Sequence, residues 1–255
     1  MTFLEVRNLT KHFGGLTAVN NLNFDVNERE ILGLIGPNGA GKSTVFNLIT
    51  SYYKPSKGTI MFNGKNIINL KTHQIAQLGI VRTFQKTSVF MDMSVTQNVN
   101  LAHSLRCKAS DWEKFIFKHK AQKEEQEIAK STDEIIESIG LSTYKNEQAK
   151  NLPHGLLRLL EIGIAISVKP KLLLLDEPFT GMNPNETNKV IETVKSVHQK
   201  KGYTIILVEH NMPVVMGISD RIIVLNFGNK IAEGKPAEIL KNQKVIEAYI
   251  GKDTK

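Results

Sequence analysis

The residues best suited to chemistry lie in one short run, Gly36-Pro37-Asn38-Gly39-Ala40-Gly41-Lys42-Ser43-Thr44. It fits the pattern G-x-x-x-x-G-K-[ST], and the apolar run Ile31-Leu32-Gly33-Leu34-Ile35 supplies the strand that should enter such a loop. The glycines let backbone N–H groups turn inward around a phosphate, and the helix that follows points its positive end at the same place. Lys42 is positioned to reach the β- and γ-phosphates, and Ser43 to set its hydroxyl on Mg²⁺. The implied chemistry is binding of a nucleoside triphosphate. The bland alternative is a chance glycine loop.

A second group follows the run Leu172-Leu173-Leu174-Leu175, which ends in Asp176-Glu177-Pro178. Four leucines in a row read as a strand buried on both faces, and its carboxyl end is where ligands bind in α/β sheets. Successive side chains at a strand end diverge, so the two acids can do different work. Asp176 suits the Mg²⁺ shell. Glu177 suits a general base on the attacking water. Read alone, the pair favours a solvated turn after a core strand; with a phosphate loop upstream, it favours chemistry. A third group, Ile205-Ile206-Leu207-Val208-Glu209-His210, places a histidine at another strand end, within reach of a γ-phosphate. A lone histidine there is otherwise structural. Gln85, in Val81-Arg82-Thr83-Phe84-Gln85, is an amide able to ligate Mg²⁺ or orient water.

The elements that must hold these groups follow from hydrophobic patterning. Short β-type runs occupy residues 1–85: Phe3 to Val6, Leu22 to Val26, Ile31 to Ile35 and Thr59 to Phe62, the last followed by the turn signal Asn63-Gly64. From 86 to 160 the texture is helical, with apolar residues at helix spacing at Ile128, Ile135, Ile136 and Ile139. Strand patterns return at Lys171 to Leu175, Thr204 to Val208 and Arg221 to Leu225. Alternating strands and helices predict an α/β fold with a mostly parallel sheet. The organisation expected is one domain over 1–255, with 1–85 and 161–255 as the α/β core and 86–160 as a helical insertion.

Composition narrows the class. With 41% hydrophobic residues in 255, the chain can bury a sizeable core. One cysteine, Cys107, excludes an internal disulfide and fits a reducing compartment. The start, Met1-Thr2-Phe3-Leu4-Glu5, carries an acid where a secretion signal is apolar, so no signal peptide is expected. The longest apolar stretch, Leu156 to Val168, is interrupted by Arg158 and Glu161 and falls short of the roughly 20 residues of a membrane helix. A net charge of +8 permits anionic partners, yet the basic residues are spread out, and those from Trp112 to Lys130 alternate with Glu as on a solvated helix face. Basic and aromatic residues do not interleave as nucleic-acid binding would require, so no nucleic-acid partner is expected.

Taken in order, these groups resemble the ATP-binding-cassette (ABC) ATPases over nearly the whole chain. The resemblance implies a P-loop NTPase core with an N-terminal antiparallel β subdomain. It makes Gln85 the glutamine loop, Leu152 to Leu156 the signature region, Thr180-Gly181-Met182-Asn183 the D-loop and His210 the switch histidine. Phe13 matches the aromatic that stacks on adenine, against the alternative of a core aromatic. Phe13-Gly14-Gly15-Leu16-Thr17-Ala18-Val19, Gly79 to Gln85, Gly181-Met182-Asn183-Pro184 and Val215 to Ile222 are similar to the branched-chain amino acid importer branch, with urea importer ATPases the nearest confusable group. That branch implies ATP and Mg²⁺ as cofactors and ATP hydrolysis coupled to transport. Its partners are a second ATPase subunit, as a heterodimer or a homodimer, two membrane permeases and an external solute-binding protein. The place implied is the cytoplasmic face of the membrane. Permease contact is expected around Lys86 to Asn98. A regulatory scaffold with weak hydrolysis is the other open class.

The chain departs from the family at the signature. Where the family generally reads Leu-Ser-Gly-Gly-Gln, this sequence reads Leu152-Pro153-His154-Gly155-Leu156. Pro153 has neither hydroxyl nor N–H, and Leu156 and Leu157 are apolar. Gly155 and a helix N-terminus remain to attract an anion. Two outcomes stay open: a weakened site acting in trans through Pro153, His154 and Gly155, or local backbone geometry that makes up the difference.

Overall fold

Runs that are apolar at every position need burial on both faces, and this chain meets the need with a parallel sheet. In the computed structural model, which describes residues 2–83, 89–104 and 118–250, β3 (Ile31–Ile35), β7 (Leu172–Asp176) and β8 (Thr204–Val208) are buried along their full length. With β6 (Ile80–Arg82), β9 (Arg221–Asn226) and β10 (Asn229–Gly234) they form a six-stranded sheet of order β10-β9-β3-β8-β7-β6. Every pairing in it is parallel except β9 with β10. Asp176 lies opposite Val208, and Leu34 also lies opposite Val208. The carboxyl ends of β3, β8 and β7 therefore form one edge, the place where α/β sheets bind ligands.

A second sheet is antiparallel throughout. Its strands are β1 (Thr2–Phe13), β2 (Leu16–Asn27), β4 (Lys57–Phe62) and β5 (Lys65–Asn66), in the order β2-β1-β4-β5. The expected strands at Phe3 to Val6 and Leu22 to Val26 are thus parts of two twelve-residue strands, near the start of β1 and the end of β2. Asn63 and Gly64 join β4 to β5 with φ of 47° and 73°, the two positive values of a type I′ turn. Helix α1 (Lys42–Ile49) starts at the phosphate loop and buries Val45, Phe46, Leu48 and Ile49. These side chains share a core with Leu4, Val6 and Ile60 of the antiparallel sheet and Leu34, Leu174 and Val208 of the parallel one. Removing the fully buried Phe46 ring would cost about 3–5 kcal/mol. Ile35, next along β3, turns to the opposite face and packs with Val215 of α7 (Met212–Ile218), Ile239 of α8 (Pro236–Leu240) and Val245 of α9 (Gln243–Ile250).

These elements belong to one compact unit, residues 1–82, 171–178 and 201–255; a second comprises 83–170 and 179–200. In the second, α3 (Val95–Ser104), α4 (Lys118–Ser138) and α5 (His154–Ser167) pack together. The helical spacing read at Ile135 and Ile136 puts both side chains in the core, along with Ile139. Gly163 allows α5 close contact, since a Cβ there would stand 2.5 Å from Ile139 Cδ1. Residues 161–167, expected in the α/β core, lie in this helical unit for that reason, together with 179–200. Among the described residues no helix is long and apolar enough to cross a membrane.

Candidate functional site

The phosphate loop is shaped by what cannot fit beside it. Gly41, the N-cap of α1, has φ 103°, and a Cβ on it would stand 2.4 Å from Ala18 O. A Cβ on Gly36 would stand 2.1 Å from Leu225 O. Both approaches are to backbone that cannot step aside, so only glycine allows the loop to lie this close to β2 and β9. Lys42 curls back into the loop, and its Nζ donates to Gly36 O at 2.7 Å and Pro37 O at 3.0 Å. Burial pushes the Lys42 ammonium below its ordinary pKa, while Glu177, then Asp176 and Glu209, pull it back up. A cavity of about 490 Å³ opens here, lined by Asn38 to Thr44, Glu177, Phe13, Leu16, Thr17, Ala18 and Phe227.

The two acids after β7 diverge. Asp176 is buried, and its Oδ2 accepts from Arg82 Nη2 at 2.5 Å. Arg82 also donates to Asn47 Oδ1 at 2.6 Å and holds its guanidinium 5.6 Å from the Phe46 ring centroid. Breaking a buried pair of this kind by removing one partner costs about 3–5 kcal/mol. Glu177 takes a left-handed conformation, φ 48°, with its N–H bonded to Val208 O at 2.9 Å. That turn carries its side chain to the cavity wall while Asp176 stays inside. Positive φ at a non-glycine residue is strained and tends to cluster at functional sites.

Glu209 is buried after β8, and its Oε2 accepts the His210 N–H at 3.1 Å. The His210 ring is exposed, with Nδ1 3.9 Å from that same oxygen. The cavity lining takes in neither His210 nor Asp176. Phe13 lines the cavity at 39% exposure, so it is not a core aromatic. Tyr53 meets its ring edge-on at 5.1 Å, and the Lys11 ammonium lies 4.9 Å from its centroid. Gln85 lies outside the described residues.

Mg²⁺ holds few protein ligands and keeps several waters. Ser43, exposed at the start of α1, offers a hydroxyl of that kind, whereas Asp176, buried and held by Arg82, suits the outer shell, reached through water. Among the described residues no group of three or more His, Cys, Asp or Glu could form a full cage.

The signature region is built differently. Pro153 is the N-cap of α5, and its carbonyl accepts the N–H groups of both Leu156 and Leu157 at 3.0 Å. Gly155 faces Glu186; a Cβ on it would stand 3.0 Å from Glu186 Cβ and 3.1 Å from its carboxyl carbon. Glu186 in turn closes a capping box at the start of α6 (Pro184–Lys201): its Oε2 accepts the Asn183 N–H at 3.1 Å, and its own N–H donates to Asn183 Oδ1 at 3.0 Å. The His154 ring lies 3.5 Å from where a Cβ on Gly181 would be. The segment from Thr180 to Asn183 is thus packed on the helix start.

Sequence reasoning did not single out Arg82, Glu209 or Phe227. Arg82 left one signal, a charge inside the otherwise apolar Ile80-Val81-Arg82. Phe227 left another, a large ring where a tight turn usually holds Asn.

Comparison with known proteins adds the following. The family model described as ABC transporter matches residues 19–180, and one described as branched-chain amino acid ATP-binding cassette transporter matches residues 229–254. The high-affinity branched-chain amino acid transport ATP-binding protein LivG of Salmonella typhimurium is 43% identical over 248 residues, 97% of each chain. BraF of Pseudomonas aeruginosa, with the same description, is 40% identical over 97% of each chain. A crystal structure of an ATP-binding cassette of an ABC transporter in its ADP conformation superposes with a TM-score of 0.84 at 33% identity, covering 99% of this chain and all of the other.

Proposed function

The chain belongs to the ABC transporter family, and from that premise we propose that it is the ATP-hydrolysing subunit of an importer for branched-chain amino acids. The solute assignment is supported by relatives of that description matching 97% of the chain, and by the branched-chain family match at residues 229–254. The observation that carries the enzymatic half is the convergence of the phosphate loop, Lys42 and Glu177 on one cavity.

In this reading the adenine rests on Phe13 and the phosphates lie against the N–H groups of residues 36–44. Lys42 exchanges the carbonyls of Gly36 and Pro37 for phosphate oxygens, a charge-assisted contact in place of a neutral one. Ser43, with Gln85, would hold Mg²⁺ and Asp176 would reach it through water; the ion would supply neutralisation of phosphate charge. Glu177, on the cavity wall, takes a proton from the attacking water. His210 contacts the γ-phosphate once subunits close, its backbone already fixed by Glu209.

Closure requires a second ATPase subunit, and the work is passed to two permeases fed by an external binding protein, with this chain on the cytoplasmic face. Pro153, His154 and Gly155 serve the partner's nucleotide poorly, so the site built on Lys42 and Glu177 carries most of the turnover. The deciding experiment is ATP turnover of this chain reconstituted with permeases and partner ATPase, with and without a leucine-loaded binding protein. Stimulation by leucine is expected. Turnover that ignores leucine and answers another loaded receptor would reassign the solute, and no turnover at all would turn the reading to a scaffold.

A further inference from the structure

Among the described residues, three two-residue turns join strands in the unit that holds the phosphate loop, and one of them breaks the chemistry the other two obey. Phe13 pairs with Leu16 around Gly14-Gly15, Phe62 with Lys65 around Asn63-Gly64, and Asn226 with Asn229 around Phe227-Gly228. Phe227 and Gly228 have φ of 45° and 77°, nearly the values of Asn63 and Gly64. A type I′ turn asks for Asn, Asp or Gly at its first position. Phenylalanine has no local hydrogen bond to offer in return for the left-handed strain, and a bulky residue there is a genuine outlier.

The ring gains nothing from folding either, since Phe227 is 82% exposed. Its place, however, is fixed. Gly228 N–H donates to Ala40 O at 3.0 Å in the phosphate loop, and Gly228 O accepts Asn20 N–H at 2.9 Å from β2. The Asn20 side chain donates across to Asn229 Oδ1 at 3.0 Å. The turn is thus tied to the phosphate loop and to β2, and Phe227 lines the same cavity as Phe13. Of the nine large apolar side chains exposed among the described residues, three (Phe13, Leu16 and Phe227) line this one cavity. Such clustering of exposed apolar surface marks a binding site.

We propose that Phe227 is a nucleotide-binding residue, a second aromatic wall of the cavity that packs against the nucleoside part of the bound nucleotide. The inference rests on the nucleotide reading of the cavity and adds to it a contact from the β9–β10 turn. Unlike Phe13, whose ring is braced by Tyr53 and Lys11, Phe227 is held by its backbone alone, with the turn anchored at two points.

The test uses the full chain and calorimetric titration with ADP and, separately, with inorganic tripolyphosphate, which shares the phosphates and lacks the nucleoside. Phe227→Asn supplies the residue the turn prefers and removes the ring. We expect its Kd for ADP to rise about fivefold, its Kd for tripolyphosphate to stay unchanged and its melting temperature to rise, with Phe227→Tyr keeping wild-type ADP affinity. An unchanged Kd for ADP in Phe227→Asn overturns the inference. So does an equal loss for tripolyphosphate, which would place the effect in the loop backbone, or a loss seen only with a partner ATPase present, which would make the ring a subunit contact. If the wild-type chain binds neither ligand, the nucleotide reading itself falls and this inference with it.

Discussion

Two helix starts that the sequence pairs with the same physical task, offering backbone N–H groups to an anion, are built in opposite ways. At α1 the N-cap is Gly41, the loop lies too close to Ala18 O for any Cβ, and the first helical residue is the cation Lys42. At α5 the N-cap is Pro153, the third and fourth N–H groups bond back to its carbonyl, and the carboxylate of Glu186 sits against Gly155. The helix dipole favours an anion at either place. At the first, Lys42 and open backbone stand at the helix start and offset the Glu177 carboxylate on the cavity wall; at the second the first helical residue is His154 and a carboxylate lies nearby. A helix N-terminus is thus only a precondition, and its neighbours decide whether it becomes a phosphate site.

The largest effect is expected at Glu177, the proposed general base. Glu177→Gln in the reconstituted complex should cut turnover by roughly 10²–10⁴-fold with ATP binding retained, whereas the same change in the partner's equivalent acid should leave most of it. Equal losses from the two changes would mean that the helix starts are equivalent in function. Gly41→Ala comes next: it should cost about 3 kcal/mol in chemical denaturation and abolish ADP binding, because φ 103° and the contact with Ala18 O both forbid the methyl. Gly155→Ala meets the Glu186 side chain at 3.0 Å rather than backbone and should cost about 1–2 kcal/mol, part of it offset by helix propensity.

Glu186→Gln sharpens the comparison further. It keeps the capping box and removes the negative charge, so turnover at the partner's site, measured with Glu177→Gln in this chain, should rise about two- to fivefold. The smallest effect concerns pH. Burial holds Lys42 below the ordinary lysine value of 10.5, so the free loop loses its charge earlier than a solvent lysine as pH rises. A phosphate prefers the charged form, so ADP affinity is full below that lowered pKa and falls as pH climbs through it. Titrations across the alkaline range should show a decline starting short of 10.5 that Lys42→Gln lacks.

Much of this was readable in the sequence, and what was missed has a physical pattern. Ile31–Ile35 and Thr204–Val208 were legible to the residue because burial on both faces leaves an unbroken apolar run with polar flanks. β10 was not, because Asn229–Gly234 is a partly exposed edge strand whose Asn, Lys and Glu hide the alternation. The reach of α5 past 160 was missed since its apolar residues look the same whether they pack on helices or on a sheet. The loop and Glu177 could be named from spacing and Phe13 from the family resemblance, and the structure brings them to one cavity. Arg82 as the partner of Asp176 could not be named, because 94 residues separate them and no local pattern encodes a pairing between neighbouring strands.

That strand order also sets when the site can exist. β3 is made early, yet its two neighbours in the sheet, β8 and β9, are residues 204–208 and 221–226, so the central strand emerges with nothing to pair with. About 170 residues separate β3 from β8, which at typical synthesis rates is on the order of 10–30 s. Throughout that interval the phosphate loop hangs from an unpaired apolar strand, a stretch that invites association with other chains or capture by a chaperone. The phosphate loop therefore cannot hang from a paired central strand until residues 204–226 have been made.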